Sequence, residues 1–129
     1  MEQQTFYYDN KTVKLFAYAT LFWGGIGMIA GLLIASQLVF PSLNLGLSFT
    51  TFGRIRPIHT NAVIFAFVGN GIFTAIYYSM QMVLKTRMFS DILSKIHFWG
   101  WQLIIVLAAV TVIVPLAVMF PQPPVKVTV

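Results

Sequence analysis

One histidine and two arginines are the residues of this sequence best suited to bind a cofactor. His59 lies near the start of a long apolar stretch, and Arg54 and Arg56 precede it in the run Arg-Ile-Arg-Pro-Ile-His. An imidazole among apolar residues is unfavourable without a partner, so an ionisable residue in a membrane-spanning segment is a candidate functional residue. The two neighbouring guanidinium groups indicate that this partner carries negative charge.

A haem satisfies both requirements. Its iron accepts a histidine nitrogen, and its propionates accept hydrogen bonds from arginine. The alternative is that His59 hydrogen-bonds another helix or lies among lipid headgroups, and the residues alone leave both hypotheses open. The second of the two histidines, His97, follows Lys95 and precedes Phe-Trp-Gly-Trp, so we expect it at the membrane interface.

The composition excludes several classes of protein. Hydrophobic residues make up 58% of the 129 residues and charged residues 9%, too few to cover a soluble domain. The net charge of +5 forms no basic cluster interleaved with aromatic residues, so nucleic-acid binding is not expected. Because cysteine is absent, disulfides, thiolate-ligated iron–sulfur clusters and covalent c-type haem are excluded. The dispersed carboxylates form no paired acid–base site, and no catalytic residue is assigned.

Three uncharged runs predict an all-α integral membrane protein with three transmembrane helices. They cover residues 15–40, 57–84 and 96–120, and each exceeds the roughly 20 residues that cross a bilayer as a helix. No alternation of the kind found in barrels is present, and a spanning segment must satisfy its own backbone hydrogen bonds. Residues 1–120 therefore form the membrane part, and the proline-rich residues 121–129 predict an irregular tail.

Small and polar residues within these runs indicate contacts between helices. Gly27 and Gly31 are four residues apart, which suits close helix approach, although glycine is also common in such helices without that role. Asn70, eleven positions after His59, returns to the same helical face and either lines it or, as we expect, hydrogen-bonds another helix. Pro57 suits the first position of a helix, and Arg56 before it favours extended backbone, so that Arg54 and Arg56 point to opposite sides.

The basic residues predict the orientation in the membrane. Those on the amino-terminal side of the first helix and between the second and third helices share one side, which the positive-inside rule assigns to the cytoplasm: Lys11, Lys14, Lys85, Arg87 and Lys95. Arg54, Arg56 and Lys126 lie on the other side, and a ligand role for the arginines removes most of this conflict. Four aromatic residues near the cytoplasmic boundary are expected to form a belt: Tyr77, Tyr78, Trp99 and Trp101.

Residues 52–65, FGRIRPIHTNAVIF, resemble the start of the second helix in the catalytic subunit of cbb3-type cytochrome c oxidases. These enzymes are the C family of the haem–copper oxidases. The pair at 77–78 and the segment FWGWQ at 98–102 are similar to the end of that family's second helix and the start of its third. The resemblance covers roughly residues 13–111.

The resemblance implies a twelve-helix subunit of the bacterial inner membrane with a low-spin haem b and a high-spin haem–copper site. Such a subunit reduces oxygen to water and pumps protons, with electrons arriving through c-type cytochrome subunits. On this resemblance His59 matches one axial ligand of the low-spin haem b iron. Arg56, and less closely Arg54, match residues that contact the propionates.

Other features depart from that family. Three helices are a quarter of its subunit, and the second axial histidine, the copper ligands, the high-spin haem ligand and the crosslinked tyrosine have no counterpart here. Residues 112–129 do not follow its pattern. We therefore expect no oxygen reduction by this chain alone, and the expected partners are the remaining helices of the subunit, the c-type cytochromes and lipid. Two alternatives remain, part of a nitric oxide reductase large subunit and a cofactor-free three-helix scaffold or truncated remnant.

Overall fold

The computed structural model describes residues 7–47 and 50–119, without the side chains of 112, 113 and 115–119, and over this part it contains helices and turns but no strand. Helix α1 is Asn10–Val39, and a 3-10 turn, Pro41–Asn44, follows it. The second span consists of α2 (Phe52–Asn61), a π-helical segment (Ala62–Val68) and α3 (Gly69–Leu84). Helix α4 is Asp91–Met119.

Three of these helical stretches are long and apolar enough to cross a membrane. They are Asn10–Val39, Phe52–Leu84 and Asp91–Thr111. This confirms the prediction of an all-α membrane protein with three spanning helices. The predicted tail at 121–129 and Lys126 lie outside the described residues.

Helices α1 and α4 begin earlier than the uncharged runs, because acidic residues stabilise their first turns. Helix α1 begins at Asn10, where the Asp9 carboxylate accepts hydrogen bonds from the backbone N–H of Lys11 at 3.1 Å and the hydroxyl of Thr12 at 2.9 Å. Helix α4 begins with Asp91, whose negative charge is favourable at the positive end of the helix dipole. The charged residues at these ends are therefore helical, although they lie beyond the apolar runs.

The second span corrects the predicted helix start at Pro57. Helix α2 begins at Phe52, so Pro57 is an internal residue and Arg56 is helical instead of extended. The first turn closes on the carbonyl of Thr51, which accepts a hydrogen bond from the N–H of Ile55 at 3.1 Å. Pro57 removes only the hydrogen bond to the carbonyl four residues earlier, which lies in the exposed first turn of the helix. That loss is small because water can bind the carbonyl there.

Two glycines allow α1 to approach the second span closely. A Cβ atom on Gly27 would lie 3.3 Å from the side chain of Val63, and one on Gly31 would lie 2.8 Å from Cε1 of His59. Neither side chain could keep its position if Cβ atoms were added at these sites. The packing role predicted for the Gly-x-x-x-Gly pair is confirmed.

Side-chain hydrogen bonds link all three spans. The indole N–H of Trp23 donates to Oε1 of Gln102 at 2.8 Å, and Nε2 of Gln102 donates to Oδ1 of Asn70 at 2.8 Å. Asn70 is fully buried, and its own amide N–H donates to the carbonyl of Ala66 in the π-helical segment at 2.6 Å. The predicted bond from Asn70 to another helix is confirmed, and we call Trp23, Asn70 and Gln102 the polar clamp.

An aromatic cluster packs the end of the bundle where α1 begins. The buried ring of Phe16 lies 5.0–5.5 Å from the rings of Phe73, Tyr77 and Phe98. The Tyr77 hydroxyl is 3.0 Å from Nδ1 of His97, which is half-buried in the same cluster. Both side chains pack between helices, so neither faces lipid as a belt residue would, and the depth of Tyr77 and His97 in the membrane stays a prediction. Two of the predicted belt residues are exposed: Tyr78 and Trp99.

Substitution Gly31→Ala is expected to destabilise the bundle, with Gly25→Ala as the matched control. The new methyl group at 31 would overlap His59, and overpacking of this kind costs about 1–3 kcal/mol. A Cβ at Gly25 meets no atom within 4 Å, so this variant keeps the wild-type stability. Unfolding in mixed micelles measures both, and equal stability of the two variants would contradict the close packing at Gly31.

Substitution Gln102→Ala is expected to break the polar clamp, because it removes the acceptor of the Trp23 indole N–H and the donor to Oδ1 of Asn70. Bonds of this kind between membrane helices contribute about 0.6 kcal/mol on average and at most about 1.7. The neighbouring residue Leu103 is 58% exposed, so Leu103→Ala serves as the control. The same unfolding measurement should give a larger loss for Gln102→Ala. A larger loss for Leu103→Ala would contradict a stabilising role for the clamp.

Candidate functional site

The imidazole of His59 lies against α1 and has a defined hydrogen bond. Its Nδ1 is 2.8 Å from the carbonyl oxygen of Gly27. A carbonyl oxygen only accepts, so Nδ1 carries the hydrogen, and in the neutral ring the lone pair is then on Nε2. Within residues 7–47 and 50–111, the structure gives Nε2 no hydrogen-bond partner. A histidine that ligates a metal has this arrangement, in which one ring N–H is fixed by an acceptor and the other nitrogen is available.

Gly31 gives this imidazole the space that it occupies. A Cβ at position 31 would be 2.8 Å from Cε1, 3.3 Å from Nδ1 and 3.4 Å from Nε2 of His59, so the ring lies directly over the glycine backbone. Gly27 and Gly31 are one helical turn apart on the same face of α1. One glycine accepts the hydrogen bond, and the other leaves room for the ring, so α1 fixes both the position and the tautomer of His59.

The two arginines have different environments. Arg56 is exposed, whereas Arg54 is half-buried and its Nη1 is buried with no hydrogen-bond partner among the described residues. Residues that are two positions apart on an α-helix point in directions roughly 200° apart. The side chains of Arg54 and Arg56 therefore still point to opposite sides, as predicted, although the backbone is helical instead of extended. A buried guanidinium nitrogen without an acceptor is unfavourable, and a bound anion would remove that penalty.

The chemistry of these groups suits a haem. The imidazole supplies a nitrogen lone pair for iron, and Arg54 supplies an N–H for a propionate. His97 does not add a second ligand to this site, because it packs on Phe16 near the start of α1, whereas His59 packs on Gly31, about 22 Å further along the same helix. No group of three or more histidine, cysteine or acidic residues occurs within the described part of the chain. At this site the described residues therefore offer one nitrogen to iron, that of His59.

An apolar cavity of about 400 Å³ lies between α1, α2 and α4, on the α4 side of the second span. Its walls include Trp23, Ile58, Phe65 and Ile105. No titratable side chain lines it, so it offers no acid–base chemistry.

Sequence reasoning selected His59, Arg54 and Arg56 but missed the partner of the imidazole. That partner is the backbone carbonyl of Gly27, which no residue type could reveal. The spacing of Gly27 and Gly31 was the available signal, because a glycine pair exposes helix backbone to a neighbouring side chain.

Comparisons of the sequence with known proteins show which family this chain resembles. The family described as "Cytochrome C and Quinol oxidase polypeptide I" matches residues 11–127. The chain is 51% identical over 104 residues to the Cbb3-type cytochrome c oxidase subunit CcoN1 of Stutzerimonas stutzeri, which is 81% of this chain and 22% of that protein. It is 46% identical over 106 residues to cytochrome c oxidase subunit 1 of Rhodobacter capsulatus, covering 80% of this chain and 20% of the relative.

A third relative is similar over a comparable length of the chain. The cytochrome c oxidase subunit 1 homolog of Agrobacterium tumefaciens is 44% identical over 107 residues, which is 83% of this chain and 20% of the relative. The chain thus spans about a fifth of the length of these relatives. The family match covers nearly all of the chain and includes His59, Arg54 and Arg56. It extends to residue 127, so the expectation that residues 112–129 depart from the family's pattern is wrong for 112–127. The resemblance seen in residues 52–65 is confirmed, and this chain belongs to the cytochrome c and quinol oxidase polypeptide I family.

Proposed function

We propose that this chain forms the amino-terminal part of the catalytic subunit of a cbb3-type cytochrome c oxidase and supplies one axial ligand, His59, to its low-spin haem b. The subunit as a whole would serve aerobic respiration by electron transfer to oxygen. The three relatives described above are all cytochrome c oxidase subunits, which favours this enzyme over a nitric oxide reductase.

The hydrogen bond between His59 and Gly27 is the observation that carries this proposal. An imidazole with Nδ1 bonded to a carbonyl presents its Nε2 lone pair, and the acceptor raises the basicity of the ring. The bond also joins the second span to α1, as the alternative interpretation of His59 expected, so the support for a ligand role comes from the nitrogen that it leaves over. Nε2 has no partner among the described residues, in a segment where an unpaired polar atom is unfavourable.

Arg54 provides independent support from the same end of the second span. Its Nη1 is buried without an acceptor, so a propionate would satisfy a donor that the described protein leaves unpaired. Arg56 is exposed and is available to a second propionate, a lipid headgroup or a neighbouring segment. We therefore assign the closer contact with a propionate to Arg54. Arg56 is assigned a more exposed contact at the edge of the cofactor.

Held by His59 and by a histidine from the rest of the subunit, a haem would supply electron transfer and would not bind oxygen. The residues of this chain would hold and orient the cofactor. Gly27 fixes the tautomer of His59, Gly31 leaves space for its ring, and Arg54 would donate a hydrogen bond to an acidic group of the cofactor. The described residues include no group of three or more histidine, cysteine or acidic side chains that could hold a copper ion. Oxygen reduction, with its high-spin haem and copper, is accordingly assigned to the rest of the subunit.

The proposed partners follow from this assignment. They are the remaining helices of the subunit, the c-type cytochrome subunits that deliver electrons, and lipid. We place the protein in a bacterial inner membrane with its amino terminus in the cytoplasm, because the lysines at the start of α1 and around the α3–α4 connection share one end of the bundle. His59 is then near the outer surface.

Substitution His59→Ala tests the ligand assignment when the chain is assembled with the rest of its subunit. Removing the only described nitrogen suited to iron should abolish the low-spin b-type absorption and electron paramagnetic resonance signals. His97→Ala removes an imidazole of the same size that pairs with Tyr77, and it should leave those signals unchanged.

The amount of assembled complex is measured for both variants, so that loss of haem is distinguished from loss of assembly. If His59→Ala assembles and keeps the full low-spin signal, His59 is not the ligand. Loss of that signal in His97→Ala and not in His59→Ala would move the assignment to His97.

Substitution Arg54→Gln is expected to lower the midpoint potential of the low-spin haem. Reduction adds an electron, and a nearby cation stabilises the reduced form, so removing the charge favours the oxidised form. Loss of about 1 kcal/mol corresponds to roughly 40 mV for one electron. The exposed Arg56, changed to Gln, should give a smaller shift in spectroelectrochemical titration. An equal or larger shift for Arg56→Gln would contradict the closer contact of Arg54.

A further inference from the structure

A second cavity, of about 450 Å³, lies at the end of the bundle opposite to His59. It is formed where the start of α1 meets the α3–α4 connection and the start of α4. Four basic and two acidic side chains line it, and we call it the basic cavity: Lys11, Lys14, Arg87, Lys95, Asp9 and Asp91. Its volume is within the ~300–1,000 Å³ typical of sites that bind small molecules.

The two carboxylates of the basic cavity already have partners. Asp9 accepts hydrogen bonds from the N–H of Lys11 and the hydroxyl of Thr12. Asp91 pairs with Arg87, and this hydrogen bond and the negative charge of Asp91 raise the pKa of the Arg87 guanidinium above its usual value. The carboxylates are therefore occupied in capping α1 and in pairing with Arg87.

Three lysines remain without an ion pair among the described residues: Lys11, Lys14 and Lys95. They come from two helices and line one cavity, in which four basic side chains outnumber two carboxylates. A cavity lined by an excess of one charge attracts ions of the opposite charge. The ligand of the basic cavity is thus expected to be negatively charged.

The position of the basic cavity identifies the kind of anion. Helix α1 begins at Asn10, α3 ends at Leu84 and α4 begins at Asp91, so the cavity lies where the spanning helices leave the apolar layer. Next to Lys95 on α4, the side chains of Ile92 and Ile96 are 71% and 61% exposed. An anion bound here has an apolar surface directly beside it.

We propose that the basic cavity binds the phosphate headgroup of an anionic phospholipid, with the acyl chains lying along the exposed apolar side chains of α4. Basic pockets between membrane helices bind such headgroups, and each lysine near the surface contributes to the attraction. Inorganic phosphate has the same charge chemistry but no apolar part to occupy the adjoining surface. This site does not depend on the haem assignment, because it lies at the other end of the spans.

Native mass spectrometry of the full chain in nonionic detergent tests this proposal with phosphatidylglycerol and phosphatidylcholine as probes. We expect phosphatidylglycerol to bind in preference to phosphatidylcholine. Each of Lys11→Gln, Lys14→Gln and Lys95→Gln should weaken phosphatidylglycerol binding about fivefold. Lys85→Gln removes the same charge from an exposed residue of the α3–α4 connection outside the cavity, and it should leave binding close to wild type.

Three outcomes would overturn the proposal. They are equal binding of the two lipids, an effect of Lys85→Gln as large as that of the cavity lysines, and displacement of phosphatidylglycerol by inorganic phosphate at equal concentration. The last result would assign the cavity to a free anion. The unfolding midpoint of each variant is measured without lipid, so that weaker lipid binding is scored only for folded protein. Lys14→Arg, which keeps the charge, should retain binding.

Discussion

The hydrogen bond between His59 and the carbonyl of Gly27 sets the distance between α1 and the second span. A helical carbonyl already accepts the N–H four residues on, and its second lone pair is usually covered by the side chain at that position. Here that position is Gly31, so the lone pair is open and the imidazole fits over the glycine. The four-residue spacing thus has two linked effects. It brings the helices together, and it gives the imidazole an acceptor for one nitrogen while the other stays available.

The π-helical segment explains how one span can serve two neighbours. In a regular α-helix, residues eleven apart lie on nearly the same face, so His59 and Asn70 would point the same way. Instead, His59 bonds to α1 and Asn70 bonds to Gln102 on α4. Between them, Ala62–Val68 uses hydrogen bonds from residue i to i+5, which changes the register of the helix. The amide of Asn70 also bonds to the carbonyl of Ala66 in this segment, so the irregular backbone stays satisfied in a place without water.

Features that depend on residue type were predictable from the sequence, and features that depend on relative helix position were not. The long apolar runs predicted the spans. An ionisable side chain within such a run made His59 the candidate cofactor ligand. The helix start at Phe52 was missed, since the Thr51 carbonyl closes a turn that outweighs the extended preference of Arg56 before proline. The burial of Tyr77 and the choice between the arginines depend on how the helices are rotated against each other. No pattern within one helix contains that information.

The two ends of the bundle carry different cations, and the difference suits different anions. Arg54 has a rigid, planar guanidinium that is half-buried, so it can hold a fixed acidic group in one orientation. At the opposite end, lysines on α1 and α4 surround an open cavity. Their flexible stems and compact charges can follow a mobile headgroup, and their strong hydration keeps them at the membrane surface. A carboxylate of a buried cofactor therefore matches the arginine end, and a phosphate of the surrounding lipid matches the lysine end.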